Sequence, residues 1–164
     1  MTQELWRLSA TEMVERVARR DVSSTELTES CLQRLADVNP GINAIVDVLA
    51  DSAMLAASQA DAAIARREPV GPLHGVPVTV KINVDMAGRA TTNGVSAFKD
   101  LVAGEDSPVV TNLRKAGAIV IGRSNAPAFS YRWFTDNDLH GRTLNPWNPD
   151  LTPGGSSGGA AAAV

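Results

Sequence analysis

The chain has 164 residues, of which 44% are hydrophobic and 20% are charged, and its formal net charge is −3 at pH 7. These values are typical of one globular domain with a core, and they exclude a disordered or fibrous chain. The weak negative charge and the small number of aromatic residues (three Trp, one Tyr and three Phe) exclude nucleic acid and anionic membranes as direct partners.

Two further features concern the environment of the protein. The first residues include acidic side chains and lack the apolar segment of a signal peptide, and no apolar run is long enough to span a bilayer. Cys31 is the only cysteine, and its position among leucines predicts an inert, buried thiol. We therefore expect a cytoplasmic location.

Both N-terminal helical segments begin with a capping box. Ser9 is followed three residues later by Glu12, and Ser23 is followed in the same way by Glu26. Apolar residues then recur at three- and four-residue spacing, so we expect two helices within a helical region of about residues 1–38. The segment Asn39-Pro40-Gly41 predicts the end of the second helix.

The segments that follow alternate between strand and helix patterns. They predict strands over 42–48, 76–82 and 118–121, and helices over 51–67 and 108–116. A strand, a helix and a second strand in this order form a crossover with a parallel strand pair, and the apolar character of both strands predicts cover on both faces. Residues 85–100 show no clear period and are either a functional loop or a missed element. We expect a layered α/β/α fold with a mixed, partly parallel sheet.

The loop "PGGSSGG" near the C-terminus has several possible readings. Gly154 and Gly159 have the spacing of a phosphate-binding loop, but alanines stand where that motif needs lysine and a hydroxyl residue. The pattern Gly-x-Ser-x-Gly matches on both Ser156 and Ser157, yet the proline-rich segment before it is unsuitable as the strand of a nucleophile elbow. A flexible tail remains possible, as does an anion or oxyanion site at the start of a following helix.

Lys81 lies inside the apolar strand pattern "VPVTVKI", between Val80 and Ile82. One interpretation is a lysine at the strand edge whose amine reaches water. The other is a neutral amine that serves as a base because burial lowers its pKa. The strand pattern alone leaves both interpretations open.

Three segments in this order resemble the amidase signature family: "GPLHGVPVTVKINVD", "DSPVVTNLRKAGAIVIGRSNAPAFS" and "HGRTLNPWNPDLTPGGSSGG". The resemblance covers essentially the whole chain, and the lysine strand and the serine loop are specific when they occur together. It implies an amidase that hydrolyses small-molecule carboxamides with a Ser–cisSer–Lys relay and an acyl-enzyme. It implies no cofactor and no metal, and it leaves a homodimer as an option.

The resemblance also assigns roles to residues of this chain. Lys81 matches the catalytic lysine, and Ser156 matches the serine that follows a cis peptide bond, which Gly155 precedes. Ser157 is expected to support that serine by hydrogen bonding.

The aromatic segment "AFSYRWF" lies between the third strand and the serine loop. Its position predicts that Phe129, Tyr131 and Trp133 line the acyl side of the substrate pocket, although they could instead pack the core.

The chain departs from the family pattern in one important respect. The nucleophilic serine of the family lies about two dozen residues beyond the cis-serine, which is outside residues 1–164. We therefore expect residues 1–164 to be a single incomplete α/β domain, the N-terminal portion of an amidase. Residues of about 42–164 form the start of the amidase core in this interpretation. We expect residues 1–164 alone to be inactive. Ile82 and Ala160 replace residues that are often acidic and polar in the family. Two alternative functions are a glutaminase-like subunit of a tRNA-dependent amidotransferase and a non-catalytic interaction module.

Overall fold

The computed structural model describes residues 4–164. Its regular elements, in chain order, are α1 (Ala10–Arg19), α2 (Ser24–Ile42), β1 (Ile45–Val48), α3 (Ala50–Arg66), β2 (Pro77–Lys81), α4 (Pro108–Lys115), β3 (Ile119–Ser124) and α5 (Gly158–Ala163). Short 3₁₀ helices lie at Leu5–Arg7, Ser96–Phe98 and Ala128–Ser130. The order of elements confirms the predicted α/β class and the two N-terminal helices.

The three strands form one mixed sheet in the order β1-β3-β2. β1 is antiparallel to β3, with a register irregularity between Ile45 and Asp47. β2 runs parallel to β3, because the backbone bonds from Ile119 N to Val76 O and from Ile82 N to Ser124 O advance in the same direction along both strands. The predicted parallel pair is therefore confirmed. Burial differs between the two strands, since every residue of β3 is buried but most residues of β2 are only half-buried.

The two N-terminal helices begin as predicted. At the start of α1, Ser9 Oγ accepts a hydrogen bond from Glu12 N while the Glu12 carboxylate accepts from Ser9 N. Ser23 and Glu26 make the same reciprocal pair at the start of α2. Both capping boxes satisfy amide groups that have no partner within the helix.

The predicted end of the second helix was wrong. α2 continues through Pro40 to Ile42, and the predicted strand start at residue 42 moves to Ile45. Proline in the last turn removes a single intrahelical bond, so the cost there is limited. The helix ends at Asn43, which adopts a left-handed conformation (φ 52°), and the Asn39 side chain bonds the backbone of the following segment.

The described residues divide into two compact units. The first contains the described residues up to Asp37 together with Leu49–Val78 and Asn112–Ile121. Its interior consists of two apolar clusters. One joins α3 alanines to β3, and the other joins α1, α2 and the residue before β2: the buried members are Ala53, Ala57, Ala60, Ile119 and Ile121 in the first cluster, and Met13, Val17, Leu27 and Val76 in the second.

The second unit contains Val38–Val48, Thr79–Thr111 and Gly122–Val164. Here β1 approaches β3 so closely that a Cβ atom on Gly122 would lie 2.6 Å from Ile45 Cγ2, which explains the glycine in this buried strand. The unpatterned segment of residues 85–100 contains the missed 3₁₀ turn at Ser96–Phe98 and an isolated bridge between Ala90 and Val102. The prediction of a single α/β domain stays a prediction.

Candidate active site

Lys81 is the last residue of β2. Its neighbours Val80 and Ile82 are buried in the core, whereas Lys81 itself is half-buried. Burial of the amine lowers the pKa of Lys81 below its ordinary value, because the protonated form loses hydration. The direction of this shift agrees with the second interpretation of this lysine, that of a base.

The Lys81 amine meets both serines of the C-terminal loop. Lys81 Nζ donates to Ser156 Oγ at 2.8 Å and to Ser157 Oγ at 3.2 Å, although 75 residues separate Lys81 from Ser156. The peptide bond between Gly155 and Ser156 is cis, as the family resemblance implied. These contacts exclude a loose Gly/Ser tail, since the loop is bound to the end of a sheet strand.

The loop also packs closely against the backbone of the aromatic segment. A Cβ atom on Gly155 would lie 2.4 Å from Arg132 O and 2.6 Å from Phe134 N, so only glycine fits at this position. The loop leads directly into α5, which begins at Gly158, two residues before the predicted alanine helix. The loop is thus fixed between two segments of the same unit.

Arg123 holds the segment that follows Lys81, and it was not identified from the sequence. Its side chain is fully buried in β3. Nη2 donates to Ile82 O and Val84 O at 3.0 Å each, and Nη1 donates to Ala90 O at 2.7 Å. Asp47 lies 3.6 Å from the same guanidinium. The available signal was a cation inside the apolar pattern "AIVIGRS", since a buried charge needs specific partners.

The aromatic segment that carries the predicted pocket residues borders both the end of the lysine strand and the serine loop. Asn83 Nδ2 donates to Ser130 Oγ at 3.1 Å, which connects the aromatic segment to the end of the lysine strand. Tyr131 and Trp133 are 88% and 87% exposed, so they do not pack the core. Phe129 is half-exposed and packs edge-on against Phe98.

A family model described as Amidase matches residues 26–164. The chain belongs to the amidase signature family. As an amidase-signature chain, it carries a lysine and two serines at the meeting point of β2 and the loop before α5.

Three relatives illustrate the match. The chain is 52% identical over 160 residues to an indoleacetamide hydrolase of Bradyrhizobium diazoefficiens, with 98% of this chain and 30% of that protein covered. It is 40% identical over 161 residues to a glutamyl-tRNA(Gln) amidotransferase subunit of Acidothermus cellulolyticus, with 98% and 32% covered. A bacterial aryl acylamidase structure is similar at a TM-score of 0.91 and 37% identity, with 96% and 33% covered. The chain spans about a third of the length of these relatives.

The hydrogen-bond partners of the two histidines do not belong to the lysine and serine site. His74 Nε2 is 3.0 Å from Ala60 O, and His140 Nε2 is 3.0 Å from Thr92 Oγ1, where burial lowers the pKa of His140. Burial also raises the pKa of Cys31 to about 11, which agrees with an inert thiol.

Within residues 4–164, no group of three or more His, Cys, Asp or Glu side chains is arranged to hold a metal ion, and no helix has the length and apolarity needed to cross a membrane.

Proposed function

We propose that this chain supplies the Lys81–Ser156 part of the proton relay of an amidase that hydrolyses carboxamide C–N bonds. The observation that carries the proposal is the 2.8 Å contact between Lys81 Nζ and Ser156 Oγ. This distance allows direct proton transfer between the two groups. The lowered pKa of Lys81 supports the same role, because only a neutral amine accepts a proton.

In the proposed reaction, Lys81 takes a proton from Ser156, and Ser156 takes one from a nucleophilic serine outside residues 1–164. The nucleophile attacks the amide carbon, the C–N bond breaks, and the proton returns through Ser156 to the leaving amine. Water then hydrolyses the acyl ester and restores the serine. Ser157, at 3.2 Å from Lys81 Nζ, orients the amine toward Ser156.

We further propose a small carboxamide with an aryl acyl group as the substrate class. Phe129, Tyr131 and Trp133 offer exposed aromatic surface between the lysine strand and the serine loop, where an aryl group gains apolar contact. The match to an indoleacetamide hydrolase supports this class, because indoleacetamide carries its aromatic ring on the acyl side. No cofactor takes part in the proposed chemistry, and the cytoplasmic location and the homodimer stay predictions.

The test is hydrolysis of indole-3-acetamide, of an anilide whose aromatic ring is on the amine side, and of an aliphatic amide, by the product of the complete gene. We expect Lys81→Ala to lower kcat/KM by about 10²–10⁴-fold, the range for loss of a positioned base. Lys81→Arg should be equally impaired, because a guanidinium keeps its proton. Lys99→Ala, which removes an exposed lysine of the same unit, is the matched control and should be unchanged. Full activity of Lys81→Arg at neutral pH would contradict the base assignment.

A second candidate function is a glutaminase-like subunit of a tRNA-dependent amidotransferase. The 40% identity to an amidotransferase subunit over nearly the whole chain supports this candidate. The two functions differ in their need for partners. Amide hydrolysis by the purified protein alone favours the free amidase, whereas glutamine hydrolysis that appears only with copurified partner subunits favours the amidotransferase.

A further inference from the structure

The serine loop is held at both ends by one side chain, that of Thr135. Thr135 Oγ1 donates a hydrogen bond to Gly154 O at 3.0 Å and accepts one from Gly158 N at 3.1 Å. The residues between these two contacts are Gly155, Ser156 and Ser157. A single hydroxyl therefore closes the loop that carries both serines facing Lys81.

Both functions of the hydroxyl are in use. A threonine hydroxyl has one hydrogen to donate and lone pairs to accept, and here the donor goes to one end of the loop and the acceptor to the other. Gly158 N is the first amide of α5, so it has no partner within the helix, and it is buried. Thr135 Oγ1 is the acceptor that pairs it. Loss of this hydroxyl leaves a carbonyl and a buried amide unpaired at the two ends of the same loop.

Thr135 is itself fixed in position. It is 1% exposed, and its carbonyl oxygen accepts a hydrogen bond from Thr143 N at 3.0 Å. Gly158 packs directly against the hydroxyl, since a Cβ atom on Gly158 would lie 2.3 Å from Thr135 Oγ1. Burial, the bond from Thr143 and this close approach hold the hydroxyl beside its two partners.

We propose that Thr135 is a positioning residue that fixes Ser156 within proton-transfer distance of Lys81. This inference rests on the proposed amidase function. The Thr135 hydroxyl bonds the backbone at Gly154 and Gly158 rather than Lys81 or Ser156, so it acts through the loop backbone. Displacement of a reacting group by about 1 Å costs as much as 10²-fold in rate, so the hydroxyl is expected to affect turnover rather than substrate affinity.

The test compares four variants of the complete gene product in amide hydrolysis. Thr135→Val keeps the shape and removes the hydroxyl, Thr135→Ser keeps the hydroxyl, and Thr135→Cys retains a weak donor and acceptor. The matched control is Thr143→Val, which removes an equally buried hydroxyl of the same unit. Thr143 Oγ1 donates to Asn43 O and accepts from Asn125 Nδ2, and neither partner belongs to the serine loop. The bond to Thr135 O comes from the Thr143 backbone amide, which valine keeps.

We expect kcat of Thr135→Val to fall by about 10- to 100-fold, with KM changed by less than about 2-fold. Thr135→Ser should restore most of the rate and Thr135→Cys should be intermediate, so the order of variants decides the test even where valine prevents folding. Thr143→Val should keep its kcat per folded molecule. Equal losses in Thr135→Val and Thr143→Val, or no rescue by serine, would overturn the proposal.

A second readout separates this inference from the amidase function itself. The pKa of Lys81, followed by the NMR shift of its Cε resonance, should rise toward the ordinary value in Thr135→Val, because a released loop admits water to the amine. It should stay unchanged in Thr135→Ser and Thr143→Val. If the wild-type protein hydrolyses no amide, the proposed function fails while this titration still decides the role of Thr135. An unchanged Lys81 pKa in Thr135→Val would then contradict that role.

Discussion

The two compact units bury different kinds of side chain. Among the described residues, the buried polar side chains of the first unit are Ser24 and Thr28, and its interior otherwise consists of apolar helix faces and strand residues. The second unit buries eight polar or charged side chains: Thr91, Thr92, Arg123, Ser124, Asn125, Thr135, Asn137 and Thr143. The unit that carries the candidate site thus depends on hydrogen bonds of buried side chains to a much greater degree than the first unit does.

This difference follows from the local structure of each unit. The helices of the first unit satisfy their own backbone groups, so packing needs only apolar faces. The site-bearing unit contains long irregular segments whose amides and carbonyls need side-chain partners. Asn137 illustrates this, because its side chain donates to Asn125 Oδ1 and Ala126 O and accepts from Leu139 N and His140 N.

The largest expected effect on stability concerns the buried guanidinium of the second unit. Arg123→Met keeps the length of the side chain but leaves three carbonyl oxygens without their donors, so we expect the free energy of unfolding to fall by about 3–5 kcal/mol. Arg19→Met, at an exposed arginine of the first unit, is the control and should change it by less than about 0.5 kcal/mol. Denaturant unfolding of both variants gives the measurement, and equal effects would break the comparison.

A matched pair of threonines sharpens the comparison. Thr143→Val in the second unit removes a hydroxyl with two partners and should cost about 1–3 kcal/mol. Thr28→Val in the first unit removes an equally buried hydroxyl that has no hydrogen-bond partner within residues 4–164, so it should be neutral or stabilising. Thermal unfolding at pH 7 measures both. A loss of stability in Thr28→Val as large as that in Thr143→Val would contradict the contrast between the units.

The smallest expected effect concerns a helix start in the first unit. Ser23→Ala removes the cap of α2 and should cost about 1 kcal/mol at pH 7. The Ser23 backbone amide and, to a smaller extent, its hydroxyl lower the pKa of Glu26 from 4.5. Ser23→Ala removes only the part due to the hydroxyl, which is present above pH 4.5 and is lost as the pH falls through the folded-state pKa. The stability difference between wild type and Ser23→Ala should therefore shrink in acid. A difference that stays constant to pH 2 would show that the bond from Ser23 Oγ to the Glu26 carboxylate contributes nothing to the cap.

The sequence predicts the first unit better than the second for the same physical reason. Capping boxes and helical periodicity are local patterns, and they indicated the starts of α1 and α2. The predicted end of α2 was wrong because Asn43 and the Asn39 side chain, rather than Pro40, determine where the helix stops.

The site itself was predictable only in part. Lys81 and Ser156 could be named because their two motifs are specific together, and the structure brings them into contact. Arg123 and Thr135 could not be named in the same way, because their partners lie far along the chain and no spacing rule connects them. Long-range hydrogen bonds of this kind follow from the folded backbone rather than from local pattern.

The central claim is that Lys81 acts as a neutral base toward Ser156, and its pKa is the most direct test. NMR titration of the Lys81 Cε resonance in the wild-type protein should give a pKa below the ordinary value of 10.5, because burial disfavours the ammonium form. The pH dependence of kcat/KM should rise through the same pKa, since the amine must lose its proton to accept one. An ordinary lysine pKa, or a rate that falls as Lys81 deprotonates, would contradict the account.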